Sequence, residues 1–115
     1  MDAKDLTLNI AVNLGRMARW AIEGKTKRIE QFMVETERYL IELENVSRGP
    51  RFEKTYKIFK QRFKAFKNNS HHDAAWAEEL LTWANILTHR AKLNLKGRNL
   101  KGRVLENCVL KGGVT

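Results

Sequence analysis

The stretch that decides the fold is RFEKTYKIFKQRFKAFK, residues 51–67. Its aromatics, Phe52, Tyr56, Phe59, Phe63 and Phe66, step by four, three, four and three. At 100° per residue they fall within about 80° of arc on a helical wheel, whereas a strand would scatter them over both faces. The segment therefore reads as an amphipathic helix whose aromatic stripe faces a core. A packing stripe of this kind is core material rather than a platform for stacking bases.

Working outward, three more segments carry the same periodicity. In the first, about residues 3–23, Leu6, Ile10, Leu14, Met17 and Ala21 share a face, and Gly24 follows where a left-handed terminal residue is cheapest. In the second, about 26–46, the stripe is Ile29, Met33, Thr36, Leu40 and Leu43, widened by Phe32 and Tyr39. Ser47-Arg48-Gly49-Pro50 breaks the chain, and Pro50 suits the first turn of the helix that follows, where its missing N–H would be unpaired anyway. Asn68-Asn69 ends the third helix. Ser70 with Asp73 resembles a capping box opening a fourth helix that reaches about residue 94. Trp76, Leu80, Trp83 and Leu87 line one edge of its apolar face, with Ala77, Leu81, Ala84 and Ala91 widening it. Connections this short make neighbours antiparallel. The expected architecture is all-α: an up-down-up-down four-helix bundle over residues 1–94, with a non-helical tail over 95–115.

Composition agrees. The chain has 115 residues, one domain's worth, and is 43% hydrophobic and 30% charged, which suits a folded protein and not a disordered one. Its one cysteine, Cys108, can form no disulfide within the chain. The N-terminus lacks the basic-then-apolar order of a signal peptide, and no window is apolar enough to span a membrane. The expected location is cytoplasmic.

The tail has its own rhythm. Asn94-Leu-Lys-Gly-Arg is followed directly by Asn99-Leu-Lys-Gly-Arg, and leucines recur at 95, 100, 105 and 110. Residues 94–113 thus resemble degenerate pentapeptide repeats, a family whose β-helix turns through one face every five residues. The position two before each leucine should be small, yet it holds Leu93, Arg98, Arg103 and Cys108. A solenoid also needs several coils to bury a core. A flexible or loosely docked tail is therefore expected.

Net charge is +9, which favours polyanionic partners: RNA or DNA, an anionic membrane surface or an acidic protein. The excess is localised. Residues 51–67 carry seven cations against Glu53 alone, and the tail is also basic. Lys54, Lys57, Lys60, Lys64 and Lys67 share one flank of the third helix, with Arg51 and Arg62 on the other. The candidate polyanion-binding residues are those five lysines together with Arg98 and Arg103 of the tail. The alternative is a solvated face paired with the acidic second helix, where Glu35, Glu37, Glu42 and Glu44 are available.

Catalytic signatures are missing. The sequence contains neither a GxxxxGK[ST] nor a GxGxxG loop, its serines are Ser47 and Ser70 alone, and no Glu-x-x-His motif occurs. His71 and His72 are adjacent and point different ways on a helix, and His89 falls on a polar face. A non-enzymatic protein with no metal or cofactor is expected.

Within the body, Ala21-Ile22-Glu23-Gly24, Phe32-Met33 and Tyr39-Leu40-Ile41-Glu42-Leu43-Glu44 resemble a four-helix-bundle family. That family includes proteins encoded in ribosomal RNA intervening sequences and the accessory variability determinants of diversity-generating retroelements. The resemblance, confined to residues 21–44, implies a basic bundle that oligomerises and contacts nucleic acid. Two functions are thus expected in outline: a nucleic-acid-binding module using the third helix and the tail, or a protein-interaction or self-association module.

Overall fold

A computed structural model describes residues 1–95. Four helices make up the described chain: α1 (Ala3–Glu23), α2 (Thr26–Glu44), α3 (Pro50–Asn68) and α4 (Ala74–Asn94). Their ends follow from local chemistry. Asp2 caps α1 by accepting the Asp5 N–H at 2.8 Å. Gly24, at φ +74°, closes α1 while the Lys25 N–H reaches the Trp20 carbonyl at 2.9 Å. Only glycine adopts that left-handed backbone cheaply. Pro50 opens α3 at the expected position.

The opening of α4 differs from expectation. Ser70 is not its cap. Asp73 itself is the N-cap, accepting the Trp76 N–H at 2.9 Å, so α4 starts at Ala74. Both residue types can cap, and the choice falls to the one with extended backbone directly ahead of the helical turn.

The loops span residues 45–49 and 69–73, and α1 joins α2 through Gly24-Lys25 alone. Five residues reach about 18 Å at most, short of the roughly 28 Å length of α3, so each helix runs back along its predecessor. Helix α1 packs against α2 and α4, and α3 packs against α4. This is the antiparallel four-helix bundle. Buried alanines, Ala11 and Ala18 on α1 with Ala77 and Ala91 on α4, permit close approach of these two helices.

The core matches the stripes read from the sequence. Leu6, Ile10, Leu14 and Met17 are buried, as are Ile29, Met33, Thr36, Leu40 and Leu43. All five α3 aromatics are at most 2% exposed. Phe59 packs on Trp83 of α4 with ring centroids 5.3 Å apart. Two departures concern α4. Leu81, expected to widen its apolar face, is 44% exposed. Leu95, assigned to the tail, is buried in the core and belongs with the bundle. The remaining tail residues lie outside the described part.

Helices α2 and α3 are fastened by a side chain from their loop. Arg48 donates to the Leu43 carbonyl at 2.7 Å and the Glu44 carbonyl at 3.0 Å, groups that the end of α2 leaves without helical partners. Its other nitrogens hold both Glu53 oxygens at 3.1 Å, and its guanidinium lies 4.1 Å from the Tyr56 ring centroid. With the Arg48 side chain only 13% exposed, its bonds to the Leu43 carbonyl and to Glu53 are partly shielded from water. Arg48→Ala is expected to lower unfolding stability by about 2 kcal/mol, since several charge-assisted bonds go at once and Glu53 loses its partner. Urea unfolding followed by circular dichroism checks this, and a change within 0.5 kcal/mol, the ordinary effect of a surface substitution, would contradict it.

Candidate functional site

Burying the aromatic stripe fixes the rotation of α3 about its axis. The residues between the aromatics must then face outward, and lysine is the commonest of them. Lys54, Lys57, Lys64 and Lys67 are exposed, and Lys60 is half-buried. The five split into two groups by their partners. Lys60 Nζ lies 2.6 Å from Glu44 Oε1, and Lys67 Nζ lies 2.6 Å from Glu37 Oε2, so both bridge to α2. Lys54, Lys57 and Lys64 have no carboxylate within ion-pair distance among the described residues. On the opposite flank, Arg62 forms a two-pronged pair with Glu79 of α4, at 2.7 and 2.9 Å. Arg98 and Arg103, the two tail candidates, lie outside the described residues.

The α2–α3 seam is electrostatically organised. Glu44 accepts from both Lys60 and the Tyr56 hydroxyl. The Lys60 contact first, then Tyr56, hold the Glu44 carboxyl below the usual carboxylate range. Burial, followed by the Glu44 carboxylate, raises the Tyr56 phenol above its ordinary value, so it stays a neutral donor. Glu53 is lowered chiefly by Arg48, with a smaller contribution from Lys57 one turn along. Lys57 thus feels a carboxylate that is already committed elsewhere.

Beneath these pairs lies an open groove of about 230 Å³, lined by Leu40, Ile41 and Phe63 and rimmed by Glu37, Glu44 and Lys64. That is below the roughly 300–1,000 Å³ of small-molecule pockets, so it suits a single apolar side chain better than a whole ligand.

The α3 aromatics are core and offer no stacking surface. His72 packs on Trp76, with ring centroids 4.2 Å apart, and His89 is exposed. Among the described residues no His, Cys, Asp or Glu cluster could hold a metal, and no helix is long and apolar enough to cross a membrane. Sequence reading passed over Arg48, and it passed over Arg16 and Arg28, which lie over rings at cation–π distance across the α1–α2 seam. Arginine four residues before an aromatic was the only available signal for the latter two.

Depressed carboxylate pKa values make stability depend on pH with a definite sign. Glu44 and Glu53 stabilise the fold above their unfolded value, near 4.5, and that contribution disappears as pH falls through their lower folded values. The thermal midpoint should therefore hold from neutrality to about pH 5 and drop below it. Glu44→Gln should flatten part of that drop. An unchanged acid profile in a melting series would contradict the arrangement.

No family model matches the chain, and no curated protein or solved structure shows significant similarity to it.

Proposed function

We propose that this bundle is a non-catalytic nucleic-acid-binding module that tracks the phosphate backbone along the outward flank of α3. One observation carries the reading: Lys54, Lys57 and Lys64 are exposed on one face without an acid partner among the described residues, while their neighbours Lys60 and Lys67 are spent on α2. From Lys54 to Lys64 the helix rises about 15 Å, enough to meet several successive phosphates. Lysines are mobile point charges, so they neutralise phosphate without reading base edges. Binding on this face is accordingly salt-sensitive and tolerant of sequence. The basic tail, including Arg98 and Arg103, extends the same polyanion contact. The resemblance of residues 21–44 to nucleic-acid-associated bundles points in the same direction, and the chemistry requires no cofactor. Action in the cytoplasm is part of the proposal.

A second reading, protein docking or self-association, draws on the α2–α3 groove, whose lining residue Ile41 is 59% exposed, and on Val34 of the same helix, 66% exposed. Light scattering over a concentration series tests it: mass growing with concentration favours self-association, and a constant monomer mass counts against it.

Gel shift of the full chain with generic duplex DNA and RNA across a salt series tests the main proposal. Three lysine contacts alone give a slope of log affinity on log salt of about −2.7 for duplex DNA, and the tail should steepen it. Lys57→Glu with Lys64→Glu should abolish the shift at moderate salt and leave the helical spectrum unchanged, because both residues are exposed. Absence of any shift at low salt would overturn the proposal.

A further inference from the structure

The second cationic cluster lies on the other side of α2. On α1 and α2 arginine precedes an aromatic by four residues once each: Arg16 and Trp20 on α1, and Arg28 and Phe32 on α2. One helical turn separates the members of each pair, so each shares a face. Because α1 and α2 run antiparallel through the tight Gly24-Lys25 turn, the pairs cross. The Arg16 guanidinium lies 5.9 Å from the Phe32 centroid, and that of Arg28 lies 5.7 Å from the Trp20 centroid. Between them Trp20 and Phe32 meet edge to face, with centroids 4.8 Å apart and planes at 69°. Both rings are half-buried and both arginines are exposed.

A helix–helix staple accounts for the ring pair alone. It leaves the arginines unexplained, since neither has a carboxylate within ion-pair distance among the described residues. The nearby acids are engaged otherwise. Glu23 pairs with Lys25 at 3.2 Å, and Glu35 accepts from Asn13 at 3.0 Å while contacting Arg38 at 4.0 Å. Each guanidinium lies over a ring at cation–π distance, and its exposed N–H fork is open to a ligand. Planar forks of this kind match phosphate in two-pronged fashion, and aromatic and guanidinium planes together accept unpaired bases. Duplex nucleic acid keeps its bases stacked on one another and cannot use such planes.

Resting on the nucleic-acid reading above, we infer that the α1–α2 seam is a single-strand contact site. Arg16 and Arg28 hold phosphates there, and an unpaired base stacks at Trp20. The lysine flank of α3 supplies sequence- and strand-independent attraction, and the arginine clasp adds preference for single strands.

Intrinsic tryptophan fluorescence of the full chain, titrated with a thymidine decamer, tests this directly. Trp76 is 4% exposed, and Trp83, half-buried, packs on Phe59 of α3, so the signal that Trp20→Phe removes is the Trp20 response. The decamer should quench emission in a saturable way; Trp20→Phe, which keeps a ring, should remove the quench, and Trp20→Ala should weaken decamer binding about 5–100-fold. Arg16→Lys with Arg28→Lys keeps the charge. It should weaken decamer binding while leaving the salt slope and duplex binding unchanged. A purely structural staple would lower the melting temperature and leave the single-strand to duplex ratio untouched. Decamer binding with undisturbed Trp20 emission would overturn the inference and leave the lysine-flank reading standing. So would equal quenching by a heparin fragment of matched charge. Failure of every nucleic acid to bind would overturn both.

Discussion

Burial of one aromatic stripe constrains everything else in this molecule. Phe52, Tyr56, Phe59, Phe63 and Phe66 are all essentially inaccessible to water. Each large apolar side chain contributes roughly 1.5–3 kcal/mol on burial, against a net stability of about 5–15 kcal/mol for a whole domain. Helix α3 therefore cannot rotate or slide without forfeiting much of what keeps the chain folded. Its lysines are interleaved with the aromatics, so fixing one set fixes the other. The position of the basic flank is a consequence of core packing.

The seam between α2 and α3 then divides that flank. Glu37 and Glu44 of α2 reach across and take Lys67 and Lys60, and Tyr56 adds its hydroxyl to Glu44. Such exposed pairs contribute little stability individually and are screened by salt. Their larger effect is to decide which cations remain available. Arg48 anchors the same seam from the loop side, tying the carbonyl end of α2 to Glu53 and Tyr56 of α3. A face that sequence would treat as five equivalent lysines becomes two fasteners and three open charges. The α1–α2 seam is built differently, with crossing arginines that have no carboxylate within ion-pair distance among the described residues.

The helices were legible because their signals are local. The spacing of Phe52 through Phe66, glycine at 24 and proline at 50 each speak through chemistry within a few residues. The near-neutral body and basic α3 were legible for the same reason. What escaped depends on register between helices. Whether Lys60 or Lys64 meets Glu44 turns on how α3 slides against α2, and wheel angles on one helix carry no such information. The cap at Asp73, rather than Ser70, was decided by backbone dihedrals that composition does not report. Leu81 looked like core because its neighbours on the α4 wheel are core, yet none of the other described helices covers it. Arg48 stood out in the sequence only as one more positive charge in a loop.

Lysine footprinting tests most directly whether core packing creates a phosphate-tracking face. The full chain would be acylated by an amine-reactive reagent with and without saturating duplex DNA, and each site read by mass spectrometry. The arrangement predicts that DNA protects Lys54, Lys57 and Lys64 strongly, with Lys4 and Lys92 on other helices labelled equally in both samples. Protection spread evenly over all lysines, or confined to sites away from α3, would contradict it.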